Sequence, residues 1–156
     1  MALSIPEAQL IQGEVILRDL SLTQDVKMTR KSLVRWIALA AGLISPNESR
    51  KTLLDLLEVL FAFQLGEGKD PDIHDIMQGM WRLNQKHREK TVRYHLFQLK
   101  RKGFISRVRG KYFFTIPPFS EKGDVAASFE YVLKSRSEVA LAKLREALRA
   151  LKSLYS

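Results

Sequence analysis

Residues 89–116 read EKTVRYHLFQLKRKGFISRVRGKYFFTI, and the fold turns on how this stretch is read. From about Arg88 to Lys102 the apolar positions Val92, His95, Leu96 and Leu99 recur at helical spacing and give an inner stripe. Gly103 ends that helix. The period then changes from helical to alternating. Phe104–Val108 and Lys111–Ile116 flank Arg109-Gly110, which predicts a two-stranded hairpin with glycine in its turn, closed by Pro117-Pro118.

Charge singles out the same region. Between Arg82 and Lys111 there are eleven Lys or Arg residues against the one acid Glu89, a net +10. The whole chain carries +9, so the other 126 residues sum to −1. Solvated surfaces normally mix signs, and charge this segregated implies a polyanionic partner. A merely solubilising lysine-rich face is the plainer alternative. Lys100, Arg101 and Lys102 in particular suit the negative end of the helix dipole without any ligand.

Upstream, Ser4-Ile-Pro-Glu7 has the S-x-x-E form of a helix start and predicts a first helix over about Pro6–Asp19. A second helix is expected from Thr29 or Arg30, with Leu33, Trp36, Ile37, Ala40 and Ala41 in register and Gly42 as its stop. Ser45-Pro46-Asn47-Glu48 reads as an N-cap, a first-turn proline and a capping-box glutamate. The central helix it opens should reach about Leu65, before Gly66-Glu-Gly68. Asp70-Pro71 restarts a short helix bearing Ile73, Ile76, Met77 and Met80, followed by a turn made of Gly79 and the polar stretch Asn84–Arg88. Trp81 is expected in the core. Downstream, Glu121–Ser156 is helical in two pieces divided near Ser135, and Leu141, Leu144, Leu148, Leu151 and Tyr155 form a short heptad seam.

The motif running from Thr91-Val92 through His95-Leu96, Leu99 and Lys102-Gly103 to Phe104-Ile105 resembles the recognition helix and wing entry of ArsR-like winged-helix regulators. The resemblance covers about residues 50–116. It implies a mainly α fold with a small β-hairpin: a winged helix-turn-helix domain over 46–118, an N-terminal helical extension over 1–45 and a C-terminal helical region over 119–156. It also implies sequence-specific binding of double-stranded DNA by a transcriptional regulator. In such a domain the N-terminal part of the recognition helix reaches base edges in the major groove. Arg93 is the first choice, because a guanidinium can bridge guanine O6 and N7. Thr91 and Tyr94 are further candidates for a base edge or a phosphate oxygen. Arg88 and Lys90 are assigned to phosphates, and Arg107, Arg109 and Lys111 surround the wing tip. Tyr94 packed against the preceding helix, and Phe97 in a satellite core, are the structural alternatives.

Composition removes other classes. With 46% hydrophobic and 28% charged residues the chain buries a core, and its lack of cysteine excludes disulfides, thiolate zinc sites and cysteine nucleophiles. His74, His87 and His95 are not at metal-ligand spacing, and no constellation of nucleophile, base and oxyanion donor is present. Neither catalysis nor a cofactor or metal is expected. The first residues lack the pattern of a secretion signal and no run is long enough to span a bilayer, which points to the cytoplasm. The seam at Leu141–Tyr155 allows a homodimer with recognition helices about 34–36 Å apart, or packing against the N-terminal helices. A winged-helix module that binds protein or RNA in a transcription, replication or RNA-processing assembly is the rival. Phe97, Tyr112 and Phe114 would then form its protein-binding face.

Overall fold

The computed structural model describes residues 5–156, so Ser4 of the first helix-start signal lies outside the described residues. The order of elements is α1 (Gln24–Lys27), α2 (Arg30–Ala40), α3 (Lys51–Phe61), α4 (Ile73–Leu83), α5 (Glu89–Arg101), β1 (Ile105–Val108), β2 (Lys111–Phe114) and α6 (Val125–Leu154). The chain is mainly helical with one antiparallel hairpin, in the register Ile105 to Phe114 and Val108 to Lys111.

One core joins these elements. Leu56, Leu57 and Leu60 of α3, Ile76, Met77 and Met80 of α4, and Val92 and Leu96 of α5 are its fully buried centre. Each helix offers one apolar stripe, and three stripes converge. Gly79 lies within α4 rather than in the following turn. A Cβ there would meet Val59 Cγ1 at 3.0 Å, so the missing side chain lets α4 lie close against α3. An aromatic cluster fastens the hairpin to the helices: Phe61 stacks on Phe114 at 5.1 Å, and Phe129 of α6 lies 5.0 Å from Phe104. The same core includes Val34, Ala38 and Ile44 on one side and Val125 and Val132 on the other.

Three further sequence expectations are corrected. The helix over Pro6–Asp19 is absent. Only Glu7–Leu10 forms a 3-10 turn, and the chain runs on to Leu22 without regular structure. Gly13, Val15 and Ile16 weaken helical propensity there, and tertiary contacts supply an alternative. The Arg18 guanidinium donates to the carbonyls of Leu39 (2.7 Å) and Ile44 (2.9 Å), the Trp36 indole donates to Ser21 (2.9 Å), and Ile16 lies where a Cβ on Gly42 would stand. The Arg18 backbone N–H in turn donates to the Ala40 carbonyl (2.9 Å), at the end of α2 where the helix supplies no donor.

Second, Ser45–Glu48 starts no helix. Glu48 N–H donates to the Ser45 carbonyl (3.1 Å), and Asn47 has φ +64°. Proline followed by a left-handed asparagine is equally the signature of a type II turn. The Glu48 carboxylate does reach back to Ser45 N–H at 2.6 Å, but it closes a turn, and α3 starts only at Lys51. It continues as a π-helical segment, Ala62–Glu67. Third, α6 is one unbroken helix of 30 residues with no break at Ser135; Asp124 caps it by accepting from Ala127 N–H. No helix among the described residues is long and apolar enough to cross a membrane.

Candidate nucleic-acid interface

The turn between α4 and α5 is built from both sides. Asn84 accepts from Lys86 N–H through its side chain (2.9 Å) and from His87 N–H through its carbonyl (3.3 Å). His87 Nε2 lies 2.7 Å from Asp55 Oδ2 on α3, and its side chain is only 6% exposed. Trp81 is not in the core. It is 43% exposed, and its indole N–H donates to the His87 carbonyl (2.9 Å). These contacts fix where the chain re-enters a helix at Arg88, whose side chain makes no capping hydrogen bond. The first N–H groups of α5 therefore face outward at the positive end of its dipole.

Burial of Val92, Leu96 and Leu99 turns Lys90, Thr91, Arg93, Tyr94 and Phe97 to the surface. Tyr94 is 58% and Phe97 59% exposed, so neither is packed as its structural alternative required. Arg93 Nε donates to Glu89 Oε2 at 2.9 Å, one helical turn away. An exposed pair of this spacing is worth about 0.3–0.5 kcal/mol, less than a bidentate base contact, about 1–3 kcal/mol. The pair is weak enough for Arg93 to give up Glu89 for a stronger acceptor.

At the hairpin tip Arg109 (φ +53°) and Gly110 (φ +78°) both lie in the left-handed region, as a type I′ turn demands. Arg109 and Lys111 are exposed. Arg107, also exposed, lies over the Tyr112 ring at 5.5 Å. Tyr112 N–H donates to the Pro71 carbonyl (2.8 Å) and Phe114 N–H to the buried Gln64 amide oxygen (3.3 Å), tying the hairpin to the loop before α4 and to the π-helical end of α3. Tyr112 and Phe114 are core residues, 5% and 2% exposed, so they cannot form the protein-binding face that the rival reading assigned to them.

The C-terminal turn of α5 meets the hairpin and α6 in an open groove of about 520 Å³. Lys100, Arg101, Lys102, Arg107 and Arg136 line it, with no carboxylate. Arg136 donates to the Arg101 carbonyl (3.3 Å). Burial, and after it the charges of Arg50 and Arg136, hold the Lys102 ammonium below the ordinary lysine range, against a weaker opposing pull from Glu14 and Glu48. Of these, Arg136 belongs to the groove itself. The helix dipole accounts for Lys100–Lys102 in sequence terms, but it does not account for Arg107 and Arg136 converging on them. Sequence reasoning missed Arg136 because it lies outside the basic segment and reaches it only through the fold.

Of the eleven cations between Arg82 and Lys111, ten are exposed, and only Arg93 has a carboxylate partner among the described residues. No group of three or more His, Cys, Asp or Glu among those residues could hold a metal ion. An apolar cleft of about 1,010 Å³ lies against α2, α3 and the start of α6, but its charged lining, Arg30, Arg82, Glu58 and Glu67, is balanced and suggests no particular ligand. No family model, curated protein or solved structure matches the chain.

Proposed function

We propose that this chain is a winged-helix protein that binds double-stranded DNA sequence-specifically, as a transcriptional regulator does. In this reading α5 enters the major groove, Arg93 reads a base edge, and Thr91 and Tyr94 lie beside it. Arg88 and Lys90 hold the backbone near the start of the helix, and the hairpin is the wing. The observation that carries the reading is the set of nine cations without carboxylate partners among the described residues on α5, its flanking turns and the hairpin. Exposed cations gathered without carboxylates attract a polyanion, and a duplex supplies negative charge at regular intervals. The groove at Lys102 and Arg136 extends the same surface and suits a phosphate further along the backbone.

Binding to duplex DNA, single strands and duplex RNA across a salt series tests the proposal. A steep negative dependence on salt and a preference for B-form duplex are expected, since A-form RNA closes its major groove to side chains. Arg93→Ala should relax sequence preference. Arg107→Ala with Arg109→Ala should weaken binding to all sequences alike. No binding to any nucleic acid at modest salt would return the protein to the class of interaction modules, with Tyr94 and Phe97 as the exposed aromatic pair.

A further inference from the structure

The second half of α6 has no neighbour among the described residues. Every residue from Glu138 to Ser156 is exposed, including Leu141, Leu144, Leu148 and Leu151 at 42–56%. About 25 Å of helix, Glu138–Leu154, thus projects from the core with a continuous leucine stripe on one side. Isolated helices of this length are marginal in water, and monomers rarely leave such stripes bare.

The two flanks of the stripe identify what covers it. One carries Ala140, Ala147 and Leu154; the other carries Glu138, Arg145 and Lys152. We propose that two copies of the chain pair through antiparallel α6 segments, with Leu141 against Leu151 and Leu144 against Leu148 of the second copy. In that register like flanks face each other. Ala147 meets its own counterpart on the two-fold axis, and Ala140 makes room for Leu154. Glu138 opposes Lys152 twice. The Arg145 pair near the axis is the one like-charge meeting, and each Arg145 already lies 3.3 Å from Glu138 of its own helix. A parallel pair would set the alanine flank against Arg145 and Lys152, leaving Leu154 bare and Glu138 without a cation across the interface. Flanking residues set orientation in coiled coils in this way, and the isologous contact closes on itself.

The pairing does not depend on nucleic acid, so it is tested without any. Sedimentation equilibrium of the full chain should give a dimer. Leu144→Glu with Leu148→Glu should raise its Kd by about a hundredfold or more. These side chains are exposed in a single copy, so the thermal transition of the folded core, extrapolated to low concentration, should stay in place. The chain has no cysteine of its own, so single introduced thiols report the register. Ala147→Cys should cross-link under mild oxidation. Leu141→Cys should not, because its two copies would stand about 15 Å apart along the pair. A wild-type chain that stays monomeric, as it would if α6 folded back onto its own domain, overturns the proposal. A dimer indifferent to the two glutamates, or one cross-linked at Leu141 and not at Ala147, does so too.

Discussion

His87 Nε2 lies 2.7 Å from Asp55 Oδ2, joining the turn before α5 to the middle of α3 across 32 residues of sequence. Neither residue is positioned to touch a ligand in the proposed reading. Their pairing fixes the angle at which α5 is presented, and the Trp81 hydrogen bond to the His87 carbonyl reinforces it. Asp55→Ala should therefore cost about 1–3 kcal/mol of stability, the range for orphaning a buried polar partner. It should also weaken DNA binding although it removes a negative charge. Chemical denaturation and a duplex titration measure the two effects. Tighter binding would show that net charge, not helix placement, controls affinity.

The Glu89–Arg93 pair makes a separable prediction. Glu89→Gln frees Arg93 and deletes the one acid in the basic segment. Affinity for duplex DNA should rise at every sequence, while stability changes by no more than about 0.5 kcal/mol. Arg93→Lys keeps the charge but loses the guanidinium fork, so preference at one base pair should fall by about 1–3 kcal/mol. A panel of single-base variants of a selected site reads this directly. Equal profiles for wild type and Arg93→Lys would remove Arg93 from base reading.

Arg109 occupies a left-handed position at φ +53° that glycine adopts without steric cost. Arg109→Gly should stabilise the hairpin by about 0.5–1 kcal/mol, since relief of the left-handed strain exceeds the entropy lost with glycine. Binding should weaken in the same variant. Stability and affinity moving in opposite directions would mark a side chain kept for contact rather than for the turn. If both rise, the wing tip does not meet the duplex.

His95 provides a pH dependence. Burial, and after it the Arg50 charge, lowers its pKa below the ordinary histidine value. The unfolded chain then binds a proton at a higher pH than the folded chain does. Stability should accordingly fall as pH drops through the unfolded value, near 6.5. His95→Gln should flatten that part of the curve and leave the carboxylate-driven loss at lower pH, to which Asp75 contributes because its pKa is depressed by the Asp72 N–H and by Lys69. Urea titrations between pH 7.5 and 5 would show the difference. An unchanged slope in the variant would place the effect elsewhere.

Local pattern was sufficient for α5, the Gly103 stop and the hairpin, because there stripe, breaker and turn chemistry agree over adjacent residues. It also located the basic segment and the exposed faces of Lys90–Tyr94. It failed where one short signal serves two structures. Ser45–Glu48 suits a type II turn as well as a cap, and only packing of the following helix selects between them. It failed again at Ile11–Asp19, where Arg18 bonds to distant carbonyls and the chain is held outside any helix. Tertiary structure alone decided that Trp81 braces the turn from outside the core, that Asp55 meets His87, and that Arg136 joins Lys102 in one groove. Helical periodicity is a property of neighbours three and four residues apart, and so the sequence carries it openly. Contacts across 30 or more residues exist only once the core around Leu56, Met77 and Leu96 has brought α3, α4 and α5 together.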